Sequence, residues 1–374
     1  MKYSLKIATI KGIPVKLHVS FLFIVVLLTV FLSIQTFSVL GMKIGFGDLD
    51  MPVALKWVLG ALTALVLLFT LFLHELSHSL VSIANGFKVK EITFFLLGGV
   101  SRSESFPEDP ATEIKIAAIG PLVSMGLGFL FILLNRASTL LEGDPESALG
   151  YAVIFFGTLG FYNFIIGMFN LIPALPLDGG RIFRGILGNF MDHRNATIKA
   201  TQVGKVLAVI MGLVGILSFN FLLILIAVFI YMGAKGEKDT VDTMHSLEGL
   251  KMSQVMSGVP GTVEPDTTLS EVRKKMMKNR KRVQLVKDQG KIIGIVTAEN
   301  LREVPKKHRG STTAGEVMDR DFIKAGPKKD APGIWNKMVK RGKDRVVIID
   351  HDKVVGVASL ADFRSIIEFR ESLG

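Results

Sequence analysis

The sequence predicts a polytopic α-helical membrane protein, with about six transmembrane helices and a small β-hairpin or sheet, followed by a soluble α+β domain. Three observations predict this fold class. The 374-residue chain is 49% hydrophobic and has a mean hydropathy of +0.45, which is high for a soluble protein. Its long apolar runs precede about Lys235, and charged residues are dense only after that point. The charged part also contains an internal repeat.

Five apolar runs are candidates for membrane spans, and they are Val19 to Ile34, Trp57 to Ala84, Ile114 to Leu134, Tyr151 to Leu171 and Val203 to Met232. The last run is long enough to be divided at Ser218-Phe219-Asn220 into two spans. Each half would then reach only ~22 Å, which is short for a hydrocarbon core of ~30 Å. We therefore predict six spans, with five as the alternative.

Basic residues around these runs predict the orientation in a cell membrane. The flanks that are rich in lysine and arginine contain Lys2, Lys6, Lys11, Lys16, Lys88, Lys90, Arg102, Lys115, Arg181, Arg184, Arg194 and Lys199. The opposite loops contain only Lys43, Lys56 and Arg136. We expect a multi-pass protein whose N-terminus and soluble tail are both cytoplasmic.

The overall charge and the absence of cysteine exclude several classes of partner and site. The net charge is +11, but the basic residues of the tail are scattered, without interleaved aromatic residues or a DNA-binding motif. We therefore expect no nucleic-acid partner. Because the chain has no cysteine, a metal site would have to be built from His, Asp and Glu.

The second apolar run ends with His74-Glu75-Leu76-Ser77-His78. Side chains four residues apart share one face of a helix, so His74 and His78 can bind one zinc ion while Glu75 lies beside them. Glu75 would then act as general base and later as proton donor. The alternative is a polar helix end at the membrane interface, but ionisable groups inside an apolar run are expensive unless they have a function.

A third metal ligand is offered by Asp178, in the segment from Asn170 to Gly179 that follows the fourth apolar run. Leu-Asp-Gly-Gly could form an ordinary turn. However, Pro173 and Pro176 exclude a regular helix, and irregular backbone at membrane depth is found where it lines a cavity or is buried in protein. We therefore predict a site with His74, His78 and Asp178 as ligands of one catalytic zinc ion.

These motifs resemble those of the site-2 proteases, the intramembrane zinc metalloproteases of peptidase family M50, and the resemblance covers nearly the whole chain. It assigns the metal ligands to His74, His78 and Asp178, and the catalytic carboxylate to Glu75. It also implies that Asn170, which opens the NxxPxxPLDG motif, helps to polarise the scissile carbonyl or to stabilise the intermediate. Ser77 stands where the family often has Gly.

The resemblance further implies a small sheet between the second and third spans. Val89 to Phe95 is rich in β-branched and aromatic residues, and Gly98 and Gly99 follow it. In the family this sheet approaches the site, and its Gly-Gly segment would lie near the substrate, which could bind to a free strand edge. A plain cytoplasmic hairpin is the alternative. Gly120-Pro121 in the third span indicates a helix kink, more often a packing device than a site.

The soluble tail repeats at an offset of 62 residues, which aligns Val255-Met256 with Val317-Met318 and Gly294 to Thr297 with Gly356 to Ser359. Each unit combines helices with two short apolar strands, and we expect the two units to pair around a shared core. The tail resembles a tandem CBS (Bateman) pair. The predicted domains are a transmembrane protease domain (1–235), a linker (236–250) and two CBS domains (251–308 and 309–374).

CBS pairs often bind adenine nucleotides, so the resemblance implies ATP, AMP or a related nucleotide as a partner. The nucleotide-binding candidates are Thr297 and Asn300 in the first repeat and Ser359 and Asp362 in the second. Because Asn300 stands where the second repeat has Asp362, one competent site is expected rather than two. Nearby basic residues would favour an anionic ligand. The alternative is a pair that only forms a homodimer or caps the protease.

We conclude that the sequence predicts an intramembrane zinc endopeptidase that cleaves a peptide bond within or near a transmembrane helix of a substrate protein in the lipid bilayer. The cytoplasmic CBS domains would regulate it. The alternative is a CBS-regulated divalent-cation transporter with His74, His78 and Asp178 as a transit site. Transport predicts polar residues along a whole pathway through the bilayer, whereas here they gather near one face.

Overall fold

The computed structural model describes residues 4–95, 98–103, 109–141 and 147–373. The chain divides into two compact units, Met1–Asp239 and Thr240–Gly374. The domain limits predicted from the sequence remain a prediction.

The first unit is mainly helical. Its helices are α1 (Ser20–Ile34), α2 (Val53–Ala84), α3 (Pro110–Leu141), α4 (Ala148–Asn170), α5 (Asp178–Gly188), α6 (His193–Leu217) and α7 (Phe221–Leu247), the last of which continues into the second unit.

Among the described residues, four helices are long and apolar enough to cross a membrane: α2, α3, α4 and α6. This confirms a polytopic membrane protein. The helix α1 is apolar but has only 15 residues, and α7 becomes polar in its second half. The chain breaks between α6 and α7 at Ser218 to Asn220, where Phe219 has a φ of 53°. A total of six spans remains a prediction.

A four-stranded sheet accompanies the helices. Its strands are β1 (Ser4–Ile10), β2 (Ile13–His18), β5 (Val89–Phe95) and β6 (Gly98–Ser103), in the order β1-β2-β5-β6. A separate hairpin, β3 (Phe37–Val39) and β4 (Met42–Ile44), connects α1 to α2. The sequence predicted a sheet after α2, but not the N-terminal hairpin that extends it.

This sheet packs on α2 close to the His74–His78 segment. Its buried core consists of Ile13 and Val15 from β2 and Ile92 and Phe94 from β5, against which Phe72 and Leu76 of α2 pack. The strands β2 and β5 are parallel, and β5 and β6 are antiparallel. The outer strand β6 is thereby held at the level of the predicted metal ligands.

The second unit consists of two similar repeats. The first contains α8 (Met252–Val255), β7 (Gly261–Val263), α9 (Leu269–Asn279), β8 (Val283–Asp288), β9 (Lys291–Thr297) and α10 (Ala298–Glu303). The second contains α11 (Ala314–Val317), β10 (Ile323–Ala325), α12 (Ala331–Arg341), β11 (Arg345–Asp350), β12 (Lys353–Ser359) and α13 (Leu360–Leu373). The sheets have the equivalent orders β7-β8-β9 and β10-β11-β12.

Backbone pairing between the repeats is symmetric. Lys251 bridges Asp330, and the equivalent pair in the other direction is Thr313 with Thr268. Likewise Ser257 bridges Val357, and Asp319 bridges Ile295. One buried cluster contains residues of both repeats, and its members are Val283, Leu285, Ile295, Val347 and Val357. The repeats therefore share a core, as their sequence similarity predicted.

Candidate metal centre and catalytic site

The helix α2 carries three of the predicted site residues in its second half. Its apolar sequence supplies a long helix without a break, and this helix places His74 and His78 one turn apart. Their ring centroids are 4.9 Å apart and the rings are nearly perpendicular. His74 is only 2% exposed. Both imidazoles are therefore held on one face inside the protein.

Asp178 follows α2 by about one hundred residues in the sequence and is the first residue of α5. The segment before it is buried at Ala174 and Leu175. Two glycines after Asp178 permit a close return of the chain, because a Cβ on Gly179 would lie 2.2 Å from the carbonyl oxygen of Leu171 and one on Gly180 would lie 2.3 Å from the nitrogen of Leu175. The PLDGG sequence thus folds Asp178 back toward α2.

The three predicted ligands meet. The Oδ2 atom of Asp178 lies 3.2 Å from Nε2 of His74 and 3.2 Å from Nε2 of His78. The two Nε2 atoms are also 3.2 Å apart. One donor atom from each residue lies within 4.8 Å of the other two, so the group could hold a metal ion.

The orientation of His78 makes this group suitable for a cation. Its Nδ1 lies 2.7 Å from the carbonyl oxygen of Ile116, and because a carbonyl only accepts, Nδ1 carries the hydrogen. In the neutral ring the lone pair of Nε2 then faces the Asp178 carboxylate and His74. A metal ion between these atoms would be bound by two imidazoles and one carboxylate, which is a ligand set that zinc prefers.

The third helix supplies contacts that the sequence did not predict. Nδ1 of His74 lies 2.9 Å from Oγ of Ser124. A Cβ on Gly120 would lie 2.1 Å from Nε2 of His78 and 2.6 Å from Nε2 of His74. Gly120 therefore touches both predicted ligands. Ile116, Gly120 and Ser124 occur at intervals of four residues, so one face of α3 orients both histidines; this spacing was the available signal.

Glu75 lies beside the metal-ligand group and against the sheet. A Cβ on Gly99 would lie 2.4 Å from Cγ and 2.9 Å from Cδ of Glu75. Gly99 pairs with Phe94 of the buried strand β5. The absence of a side chain at position 99 thus leaves room for Glu75 beside β6. Gly98 pairs with Phe95 at the start of the same outer strand.

Asn170 is the last residue of α4 and is half-buried. Its side-chain amide donates to the carbonyl of Ile166 at 3.0 Å. This bond lies within its own helix, and the structure therefore does not by itself join Asn170 to the group formed by His74, His78 and Asp178. Its catalytic role remains a prediction.

The nucleotide-binding candidates lie at two equivalent helix starts in the second unit. Oδ1 of Asn300 accepts from the nitrogen and the hydroxyl of Thr297, both at 2.9 Å. Oδ2 of Asp362 accepts from the nitrogen of Ser359 at 2.7 Å and from its hydroxyl at 2.6 Å. Both pairs are capping boxes. Their role in ligand binding remains a prediction.

The chain matches the models of two protein families. The model of peptidase family M50 matches residues 62–140 and 144–213. A zinc metalloprotease from Methanocaldococcus jannaschii is 32% identical over the full length of this chain and 99% of its own. The chain belongs to peptidase family M50. The CBS domain model also matches twice, over residues 252–307 and 314–368.

The chain is also similar to a second curated relative and to a solved structure. Rip3 from Mycobacterium tuberculosis is 28% identical over 98% of this chain and 94% of its own length. The solved structure of a site-2 protease from Methanocaldococcus jannaschii is 34% identical, with a TM-score of 0.43, and the match covers 63% of this chain and 95% of that one.

As an M50 member, the protein is a site-2-type zinc metalloprotease in a membrane, with tandem CBS domains. The predicted enzyme class and the predicted zinc cofactor are confirmed. Family membership does not favour the alternative of a cation transporter.

Proposed function

We propose that this M50 protease cleaves a peptide bond within or near a transmembrane helix of a substrate protein, with His74, His78 and Asp178 holding the zinc ion and Glu75 as the catalytic carboxylate. The observation that carries this proposal is the meeting of three ligand atoms within 4.8 Å. They meet in a helical bundle long and apolar enough to cross a membrane, with Glu75 next to them.

Zinc held by His74, His78 and Asp178 would supply a Lewis acid that polarises a carbonyl oxygen and lowers the pKa of water. The chain's own residues provide the proton transfer. Glu75 accepts a proton from the attacking water and delivers it to the departing amide nitrogen. Asn170 is proposed to donate its side-chain amide to the developing oxyanion. The amide has two N–H groups, so this does not require it to leave its bond to Ile166.

The outer strand β6 is the proposed binding edge for the substrate. It ends the order β1-β2-β5-β6, and Gly99 of this strand lies against Glu75. A substrate segment that leaves its helix can pair with such an edge through backbone hydrogen bonds, and its peptide bonds then become accessible. Gly98 and Gly99 would allow close approach of the substrate backbone to the catalytic carboxylate.

We propose that the N-terminus and the CBS domains are cytoplasmic, because basic residues flank the spans on that side. Water would reach the site from the same side. The CBS pair would regulate access or activity through a nucleotide, and it would be the surface through which two copies form a homodimer.

We name the two candidate nucleotide sites the first cleft, beside Thr297 and Asn300, and the second cleft, beside Ser359 and Asp362. Their surroundings differ in charge, and the difference supports one nucleotide site. Near the first motif, Asp319 bridges Ile295, and its Oδ2 lies 2.8 Å from Nζ of Lys343. This hydrogen bond holds the pKa of Lys343 above its usual value. Asp321 also lies 3.4 Å from the same nitrogen. Carboxylates thus compensate the cation at this cleft and would repel phosphate.

The equivalent positions near the second motif have no carboxylate. Ser257 and Val259 stand where the other repeat has Asp319 and Asp321. Nζ of Lys281, the equivalent of Lys343, lies 3.3 Å from the carbonyl oxygen of Gly258. A cation bound to a neutral carbonyl can still attract an anionic ligand. The proposed adenine nucleotide site is therefore formed around Ser359, Asp362 and Lys281.

A cleavage assay with the purified full chain tests the proposed protease chemistry. A single-span reporter is incubated in detergent with wild type and with Glu75→Gln, after zinc has been measured in both. We expect the variant to bind zinc as wild type does and to lose cleavage by a factor on the order of 100 or more. Equal cleavage by both proteins would exclude Glu75 as the base. Zinc in both proteins, no cleavage of any reporter and metal flux in proteoliposomes would instead support transport.

A further inference from the structure

One face of α7 contacts the chain on both sides of Asp178. Gly233 and Glu237 are four residues apart on this helix and therefore lie on the same face. Gly233 reaches Pro176, which precedes Asp178 by two residues. Glu237 reaches Arg184, which follows Asp178 on α5.

The contact at Gly233 is a close approach between the helix and a rigid ring. A Cβ on Gly233 would lie 2.5 Å from Cδ and 2.6 Å from Cγ of Pro176. The neighbouring residue Ala234 is fully buried, and its carbonyl oxygen lies 3.4 Å from Oγ1 of Thr201 on α6. The position of α7 at this level therefore limits where the segment before Asp178 can lie.

The contact at Glu237 is part of a buried ionic group. Arg184 is 6% exposed, and its Nε donates to Oε1 of Glu113 at 2.8 Å. Its Nη2 donates to the same Oε1 atom, and its Nη1 donates to Oε2 of Glu237 at 3.2 Å. The planar guanidinium thus joins α5 to the start of α3 and to α7 in one geometry.

We propose that α7 positions Asp178 in the metal site through Gly233 against Pro176 and Glu237 on Arg184, so that a displacement of α7 changes metal coordination. This inference rests on the proposed role of Asp178 as a zinc ligand. Arg184, Glu237 and Gly233 are positioning residues in this account, because their contacts are with the chain that carries Asp178.

The helix α7 also carries residues of the second unit. Glu237 belongs to the first unit, whereas the same helix ends at Leu247 in the second. Leu247 is fully buried there with Met252, Ile323 and Phe363. On this proposal, any displacement of α7 would also displace the chain that carries Asp178.

The test compares two variants with matched controls in full-length protein that is purified in detergent and loaded with Co²⁺ in place of zinc. Gly233→Ala introduces the Cβ against Pro176, and its control is Gly236→Ala in the same helix, where a Cβ meets nothing within 4 Å. Glu237→Gln removes the negative charge that faces the Arg184 guanidinium. Its control is Glu91→Gln, which removes the carboxylate bound by Lys16 in the sheet.

We measure the visible absorption spectrum of the Co²⁺-loaded protein, which depends on ligands and geometry, and, in separate zinc-loaded samples, the rate of zinc transfer to a chelator. Gly233→Ala and Glu237→Gln are expected to change the spectrum and to accelerate zinc loss by about tenfold. Both controls are expected to match wild type. Loss of stability alone would not change the spectrum of the folded fraction.

Asp178→Asn distinguishes failure of this inference from failure of the proposed ligand set. If Asp178→Asn retains the wild-type spectrum, the ligand role fails and the positioning role fails with it. If Asp178→Asn changes the spectrum but Gly233→Ala and Glu237→Gln match their controls, positioning by α7 is refuted and the ligand role stands.

Discussion

The predicted metal ligands and the predicted nucleotide-binding residues are held in different ways. His74 and His78 meet Asp178 across separations of 104 and 100 residues. Thr297 with Asn300, and Ser359 with Asp362, are each three residues apart. The first group forms only in the folded chain, whereas each of the other pairs forms with one turn of helix.

This difference helps to decide whether a cluster of polar side chains indicates a bound ligand. A capping box satisfies its own donors and acceptors, so it needs no ligand to explain it. A carboxylate and two imidazoles that meet inside an apolar bundle have no such local explanation, and a bound metal ion would provide one. The same comparison can be tested by changing what surrounds each group.

The largest effect is expected for Gly120→Ala. The new Cβ would lie 2.1 and 2.6 Å from the two imidazole nitrogens, so it would occupy space that the histidines and their metal need. Zinc bound to purified protein should fall to background. Gly126→Ala is the control, because a Cβ there meets nothing within 4 Å on the same helix. Alanine favours a helix over glycine by up to about 1 kcal/mol, so a loss of zinc could not be attributed to a weaker helix. Full zinc occupancy in Gly120→Ala would contradict the close contact between Gly120 and the two histidines.

A smaller effect, on catalysis alone, is expected for Gly99→Ala. Its Cβ would displace Glu75, 2.4 Å away at Cγ, without reaching the ligands in the same way. Cleavage of the reporter should fall by about 100-fold, within the range for loss of a general base, while zinc content stays at the wild-type level. If zinc content and cleavage fell together, the result would show that β6 positions the metal ligands and not only Glu75.

Ser124→Ala should weaken the metal group without abolishing it. The hydroxyl orients His74 through Nδ1, and loss of such a partner typically lowers metal affinity by about 10-fold. Competition with a chelator measures this change. Ser77→Ala is a close control, since its hydroxyl donates to the backbone carbonyl of His74 and not to the ring. Equal weakening by both substitutions would indicate a general effect on α2.

The sequence predicted those parts of the molecule that follow from regular spacing or from chemistry that is costly in a membrane. His74, Glu75, His78 and Asp178 were identifiable because ionisable residues are rare in apolar runs. The two CBS repeats were identifiable because equivalent residues recur at one offset. Both features can be read from the sequence without knowledge of the fold.

Other parts depended on contacts between distant elements. Gly120 carries no chemical group, so its contact with both imidazoles becomes visible only when α3 lies against α2. Arg184 counted as one of many basic residues near the membrane, although it is buried between Glu113 and Glu237. The N-terminal hairpin was missed because β1 is mostly exposed and lacks a clear apolar face. The hairpin joins the sheet through β2, which pairs with β1 on one side and with β5 on the other.

The smallest effect is expected in the second unit, for Asp362→Asn. The first repeat already shows that Asn supports the same capping box, since Asn300 accepts both bonds from Thr297. The substitution should therefore preserve stability while removing the charge from the hydrogen bond that Asp362 is proposed to accept from the nucleotide. Titration calorimetry with ATP and AMP should show affinity reduced by about fivefold, because charge-assisted hydrogen bonds exceed neutral ones by roughly 1 kcal/mol.

The matched control is Asn300→Asp, which makes the opposite change at the other cleft. There Asp319 and Asp321 remain beside Lys343, so a further carboxylate should not create a second site for an anionic ligand. Unchanged affinity in Asp362→Asn with unchanged thermal unfolding would assign Ser359 and Asp362 to helix capping alone. Two binding events in Asn300→Asp would show instead that the first cleft fails to bind nucleotide because it lacks this carboxylate, and not because of the charges around it.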